Sequence, residues 1–251
     1  MKALITGASS GIGKDMACVL AEQGWDLILV ARRTNLLEEL AQSLPTDCRV
    51  ISADLSDPAV CRQLYDQTKE EGVDLLINNA GFGLFGEFVE TELEREEGMI
   101  DLNIKAVHIL TKLFLKDFVA KDHGYILNVA SIAGFGPGPL MATYYATKGY
   151  VLRLGIALRE ELRRRGSRVV VSTLCPGPVD TEFNNVADVK FALAGLNSRR
   201  VAEYAIKKTL QGKAVILPGV IIKLARLAMG LLPMGLLSRI MYNMQSKKGG
   251  M

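Results

Sequence analysis

The chain has 251 residues, enough for one large domain with a sizeable core. Its formal net charge is +3, from 30 basic and 27 acidic side chains mixed along most of the chain, and it gives no sign of a nucleic-acid binder. Cys18, Cys48, Cys61 and Cys175 form no Cys-x-x-Cys pair and the two histidines stand apart, so no metal site is expected.

Lys2–Thr6 is a short apolar run that reads as the first strand, with no signal peptide before it. No stretch has the unbroken apolar length of a membrane span. With the cysteine usage, this points to a reducing, cytoplasmic compartment. The strand runs into Thr6-Gly-Ala-Ser-Ser-Gly-Ile-Gly13. Met16, Ala17, Val19, Leu20 and Ala21 follow as the apolar face of a helix stopped by Gly24. Strand, glycine-rich turn and helix present backbone N–H groups to a pyrophosphate. The spacing matches neither G-x-G-x-x-G nor the P-loop pattern, and an ordinary strand–helix turn would read the same.

Leu27–Val30 is the second strand and ends in Ala31-Arg32-Arg33. In a dinucleotide fold this strand ends at the adenosine ribose, where an acidic residue binds the 2′-hydroxyl of NAD. Small Ala31 and two guanidinium groups suit a phosphate monoester instead, which indicates the 2′-phosphate of NADP. Two solvated loop arginines are the bland alternative. Asn35-Leu-Leu-Glu38 is expected to open the next helix as capping residues. Val50–Leu55 reads as a third strand, and Asp57-Pro58 caps and starts a helix ending at Gly72. Asp74–Gly81 is a fourth strand running into a turn. Thr91-Glu-Leu-Glu94 reads as a capping box for a long helix that carries Asn103. The fifth strand, Tyr125–Ala130, ends at Ser131.

Thr143–Lys148 reads as helix, which puts Tyr144 and Lys148 at i and i+4 on one face. A free phenol titrates near ~10. A neighbouring ammonium favours the phenolate and brings the group into range for proton transfer. A hydroxyl at a strand end, Ser131, can sit beside such a helix, and the three groups could hold a carbonyl oxygen. A half-buried aromatic beside a surface lysine fits the same spacing. The helix runs on to Arg163-Arg164-Arg165, whose cations complement its dipole before a capping Gly166. Arg168–Leu174 is a sixth strand, Arg199–Leu210 a helix and Ala214–Leu217 a short seventh strand. Apolar strands alternating with helices predict an α/β fold: a single-domain, doubly wound (Rossmann-type) parallel sheet of about seven strands with helices on both faces. His108 reads as a packed or surface histidine, Cys175 as a buried inert thiol, and Trp25 as packing at a sheet edge.

The ordered set Thr6-Gly-x-x-x-Gly-x-Gly13, Asp54, Asn78-Asn79-Ala80-Gly81, Asn103, Ser131, Tyr144-x-x-x-Lys148 and Pro176-Gly177 resembles the short-chain dehydrogenases/reductases over residues 1 to about 218. The resemblance implies that Asn103, Ser131, Tyr144 and Lys148 are the catalytic set. Tyr144 would be the acid in reduction and the base in oxidation, and Ser131 would hold the substrate oxygen. Lys148 would grip the nicotinamide ribose, and Asn103 would hold a water leading to Lys148. Gly7, Ser9, Ser10, Gly11, Ile12 and Gly13 would lie on the cofactor, with Arg32, assisted by Arg33, on the 2′-phosphate. Asp54 and Leu55 would contact adenine, and Asn79, Ala80 and Gly81 the adenosine side. Pro176, Gly177, Val179 and Thr181 would line the nicotinamide end.

The implied protein is an NADP(H)-dependent oxidoreductase interconverting a ketone and a secondary alcohol. Its small-molecule substrate would be bulky and apolar, 3-ketoacyl or steroid-like, and it would be a homodimer or homotetramer. A non-catalytic NADP(H)-binding sensor is the rival; an intact proton-transfer set argues against it. Residues 182–198 would form a substrate loop. The tail, 218–251, reads as two short amphipathic helices hinged at Pro233, because Lys223, Arg226 and Arg239 interrupt any spanning helix. Their apolar faces need a partner: the same domain or its dimer mate, the mouth of the substrate site, or a membrane surface.

Overall fold

Ala3 and Ile5 of β1 (Lys2–Thr6) enter one core, and Leu4 between them enters another. Successive side chains of a strand point to opposite faces, so a strand apolar at every position must be covered on both. In this computed structural model, which describes residues 1–181 and 195–246, that is the arrangement throughout. β2 (Asp26–Ala31), β3 (Cys48–Ser52), β4 (Val73–Asn78), β5 (Tyr125–Val129), β6 (Val170–Leu174) and β7 (Val215–Ile216) complete a parallel sheet in the order β3-β2-β1-β4-β5-β6-β7. On one face α1 (Gly11–Glu22), α2 (Thr34–Ser43) and α7 (Ser198–Leu210) supply Met16, Leu20, Leu37, Leu40, Val201 and Ile206. On the other, α3 (Pro58–Thr68), α5 (Val107–Lys121) and α6 (Ala142–Arg164) supply Leu64, Leu110, Phe114, Phe118 and Leu162. The doubly wound prediction holds, with β1 and β4 adjacent where the winding reverses. At that reversal the loops after neighbouring strands diverge and leave a crevice.

Local signals held where the chemistry is backbone-specific. The Asp57 carboxylate accepts the Ala59 N–H at 2.7 Å with Pro58 in the first turn. Gly166 takes φ +65° directly after Arg165, the C-cap of α6, a conformation that glycine adopts without a Cβ clash. Others moved. The third strand is Cys48–Ser52 rather than Val50–Leu55, because it pairs only with β2 and leaves the ladder beyond Ala31–Ser52. Asn35 lies inside α2, whose N-cap is Arg33 without a side-chain cap. No Thr91–Glu94 box forms: α4 (Leu93–Ile100) has Glu92 as its N-cap, and the Thr91 hydroxyl instead donates to Glu96 at 2.6 Å. Trp25 is buried in the core on the α1 side of the sheet. α4 and α5 form one long helix, as expected, but a π-helical turn, Asp101–Ala106, joins them.

The tail folds as α8 (Val220–Leu231) and α9 (Met234–Ser246), broken at Leu232-Pro233 as expected. No helix among the described residues is long and apolar enough to cross a membrane. Most of the expected substrate loop, 182–194, lies outside the described residues. At its end Leu196 bridges to Val179, and Asn197 caps α7 by accepting the Arg200 N–H at 3.0 Å.

Candidate active site

The site is built on the carboxyl ends of β1, β4, β5 and β6. At the end of β1 the Thr6 hydroxyl donates to Ile77 O at 3.3 Å and accepts the N–H groups of Asn79 and Ala80 at 3.0 and 3.1 Å. The Asn79 amide returns two bonds, to Thr6 O and Gly7 O at 3.0 and 3.1 Å. The glycine turn is thereby stapled to the loop after β4. A Cβ on Gly13 would lie 2.4 Å from both Asn79 Nδ2 and Gly7 O, so only glycine lets α1 approach this closely. Gly11 packs on Thr181, 3.1 Å from the position of a Cβ, which ties the turn to the segment after β6.

Above this turn the Arg33 guanidinium donates to Ser9 Oγ at 3.2 Å and Ser10 Oγ at 2.9 Å. A guanidinium and two hydroxyls at a helix N-terminus fit a phosphate. Arg32 points elsewhere. Its side chain is 74% exposed and lies 4.0 Å from the Asp54 carboxylate. Arg33 is therefore on the glycine turn and Arg32 is beside Asp54. The Leu55 side chain is buried in the α3-side core.

Ser131 ends β5 in an extended conformation and caps a 3₁₀ turn, Ile132–Phe135, by accepting the Ala133 N–H at 3.1 Å. That turn lies hard against α6: a Cβ on Gly134 would sit 2.7 Å from Lys148 O. The close approach brings Ser131 and Tyr144 into a hydrogen bond. Lys148 lies one turn further along α6, its Nζ 5.9 Å from the centre of the Tyr144 ring and donating to Val129 O at 3.0 Å. Ser131, Tyr144 and Lys148 thus converge as the sequence predicted, and both α6 groups are nearly fully buried. The Ile132 N–H donates to Pro176 O at 2.9 Å, which brings Pro176 and Gly177 alongside.

The electrostatics differ from the expectation. Burial pushes the Tyr144 phenol up to about 12, opposed by its bond to Ser131. Burial also pulls the Lys148 ammonium down to about 8. Desolvation outweighs the Ser131 hydrogen bond, so Tyr144 is held as a neutral donor. Cys175 is fully buried and its thiol is pushed up to about 12 by that burial, which makes it inert as expected. His108 is exposed and bonds Tyr150 at 2.7 Å.

Asn103 is fully buried in the π-turn, and its side chain is committed. Its amide accepts the Phe82 N–H at 3.1 Å and donates to Phe82 O at 2.9 Å and Thr147 Oγ1 at 3.1 Å. It fixes the loop after β4 to α6, with Gly81 wedged between: a Cβ there would lie 2.7 Å from Asn103 Oδ1 and 3.4 Å from Lys148 Nζ. Sequence reasoning missed Thr147 and Phe82, which hold this joint, and also Glu96. The Glu96 carboxylate accepts from Thr91 and, at 2.8 Å, from Thr143, the residue before Tyr144. An open apolar groove of about 900 Å³ runs beside the site between Gly136–Pro139, Tyr145, Tyr150 and Met234; neither Ser131 nor Tyr144 lines it.

The short chain dehydrogenase family profile matches residues 1–190. A probable NADP-dependent dehydrogenase of Haemophilus influenzae is 35% identical over 188 residues, which is 73% of this chain and 74% of that protein. A short-chain dehydrogenase from Sphingobium yanoikuyae, solved with NADPH, is 31% identical with a TM-score of 0.80, covering 92% of this chain and 96% of its own. A short chain dehydrogenase/reductase from Burkholderia phymatum, solved with NAD, is 26% identical with a TM-score of 0.82, covering 90% and 91%. With this match over most of its length, the chain belongs to the short chain dehydrogenase family of oxidoreductases.

Proposed function

We propose that the protein reduces a ketone to a secondary alcohol with NADPH, and catalyses the reverse oxidation with NADP. The observation that carries this reading is the buried convergence of Ser131, Tyr144 and Lys148. The bound nicotinamide would supply the hydride; the protein's residues supply position and protons. Gly7, Ser9, Ser10, Gly11, Ile12 and Gly13 cradle the pyrophosphate, and Asn79, Ala80 and Gly81 lie along the adenosine side. Arg33 takes the 2′-phosphate with Ser9 and Ser10, since these groups already share hydrogen bonds. Arg32 and Asp54 flank the adenine. Pro176, Gly177, Val179 and Thr181 close the nicotinamide end.

Tyr144 donates its proton to the carbonyl oxygen as negative charge develops there, and Ser131 donates a hydrogen bond to the same oxygen. A neutral phenol is the form reduction requires, and burial keeps it so. Lys148 uses one N–H on Val129 O and has two more for the ribose hydroxyls. Charged Lys148 favours the tyrosinate left after transfer, which lowers the barrier to that step. Asn103 acts through Phe82 and Thr147 and is a positioning residue. The apolar surroundings, with Phe82, Leu84, Phe85, Met99 and Met141 packed around Tyr144 and Tyr145, favour a bulky apolar ketone.

NADPH oxidation against ketosteroids, 3-ketoacyl thioesters and small diketones tests the proposal. Turnover that vanishes in Tyr144→Phe, while NADPH still binds, is the expected result. NADPH binding with no turnover on any ketone class would favour a sensor and overturn it.

A further inference from the structure

α8 is apolar on two opposite sides. Ile222, Ala225 and Met229 face the domain, where Ile222 packs on Gly177 and Met229 on Gly136. Val220, Leu224, Leu227 and Leu231 recur at spacings of four, three and four on the other side. They are 69, 60, 56 and 77% exposed. A helix apolar all round is normally buried all round. Leu236, Ile240 and Met244 repeat the pattern on α9, beside the buried Leu237 and Gln245. Ten of the seventeen large apolar side chains exposed among the described residues lie between Val220 and Met244.

The charge of this region selects the partner. All 27 acidic residues lie at or before Glu203, with 22 of the 30 basic ones. The 48 residues after Glu203 hold the other eight and no acid. Three of those eight, Lys207, Lys208 and Lys213, precede the tail, so the net charge of +3 divides into −2 for residues 1–217 and +5 for the tail, 218–251. Pairing this face with the same face of a second copy sets cations against cations. An anionic lipid surface accepts both the apolar stripe and the cations.

We propose that α8 and α9 dock in the plane of an anionic membrane surface. The stripe Val220–Leu224–Leu227–Leu231 enters the boundary between headgroups and acyl chains, and Lys223 and Arg239, both exposed, meet the phosphates. The rest of the chain has no net positive charge to draw it to the same surface, so the field sets a tail-down orientation. Ile222 rests on Gly177, and the Arg226 guanidinium lies 5.5 Å from the Phe135 ring centre. Docking therefore brings the Gly177 end of the site to the lipid. That last consequence rests on the reductase reading; the docking itself does not.

Co-sedimentation with vesicles of phosphatidylcholine alone, or mixed with phosphatidylglycerol, tests the proposal. The protein is expected to bind the mixed vesicles, to bind the neutral ones weakly, and to be released as salt rises from ~0.1 to ~0.5 M. Leu224→Glu with Leu227→Glu should cut binding by about tenfold or more while leaving the thermal midpoint and NADPH affinity unchanged. Lys223→Gln with Arg239→Gln should remove the preference for anionic vesicles. No binding to mixed vesicles, or equal binding by the Leu→Glu variant, overturns the proposal. So does an oligomer that falls apart in the Leu→Glu variant without any vesicle binding, because a second copy then covers the face.

Discussion

Asn103→Leu separates a positioning role from a chemical one. Leucine shares the branched shape and heavy-atom count of asparagine, with bulkier methyl groups, and makes none of its hydrogen bonds. The substitution strands the Phe82 N–H and C=O, which Asn103 engages at 3.1 and 2.9 Å, and removes the donor to Thr147 Oγ1. The Thr147 hydroxyl keeps its bond to Tyr144 O at 2.7 Å, so it is not orphaned. A buried polar group left without a partner costs about 1–3 kcal/mol. The two Phe82 backbone groups are part-buried, so the loss is at most about 2–6 kcal/mol, against a domain's total stability of about 5–15 kcal/mol. The urea midpoint should fall accordingly with an unchanged slope, and NADPH at saturation should recover part of the loss. Turnover of the folded fraction should fall less than in Tyr144→Phe. If turnover fell more than about 10²-fold with the midpoint unmoved, Asn103 would be acting on the reacting groups and this reasoning would be wrong.

Tyr144→Phe should lower turnover by at least about 10²-fold with NADPH binding intact, whereas Tyr145→Phe should keep turnover and lose only the bond from Gln245 Nε2 at 2.9 Å. Steady-state rates and fluorescence titration of both variants check this; the reverse pattern would reassign the acid. Arg33→Ala should weaken NADPH by about 1.5–3 kcal/mol and spare NADH, with Arg32→Ala the milder change. Equal losses for the two cofactors would remove the 2′-phosphate assignment. Burial holds Lys148 at about 8 against an ordinary 10.5, so between these values the unfolded chain carries more protons and stability rises with pH. Tyr144, pushed to about 12 from 10, acts oppositely only above its ordinary value. Lys148→Met should therefore flatten the rise, by on the order of 1–3 kcal/mol between pH ~7.5 and ~9.5 in urea midpoints; an unchanged slope would show that Lys148 is not desolvated.

The sheet was legible because parallel strands covered on both faces are continuous apolar runs, as in Leu27–Val30 and Tyr125–Val129. The edge was less so. β3 exposes side chains and has one partner, so nothing in Val50–Leu55 told where the ladder stops. Tyr144 and Lys148 were legible because helical spacing alone puts them on one face. Which of Arg32 and Arg33 meets the glycine turn was not. It depends on how the β2 loop turns over Ser9 and Ser10, a contact 23 or 24 residues away in sequence. The Thr91 pattern misled because a Glu three residues on is a common capping partner, while the hydroxyl found Glu96 and through it Thr143. The burial of Tyr144 was not legible for a similar reason: spacing shows the neighbouring charge, but desolvation depends on what packs around the ring.

β1 stands in the middle of the sheet although it comes from residues 2–6. It pairs with β2 almost at once, but its other neighbour is β4. The bond from Lys2 N to Asp74 Oδ2 closes 72 residues of chain. A chain that has made only β1, β2 and β3 therefore holds half a sheet, with the inner edge of β1 unpaired and flanked by Ala3, Leu4 and Ile5. Such an edge is a template for any other strand. It stays open until β4 arrives, and non-local pairing of this kind forms slowly. Crowded synthesis or slow refolding should produce aggregates joined through β1, and substitutions that weaken β4 should raise their yield even where the finished protein tolerates them.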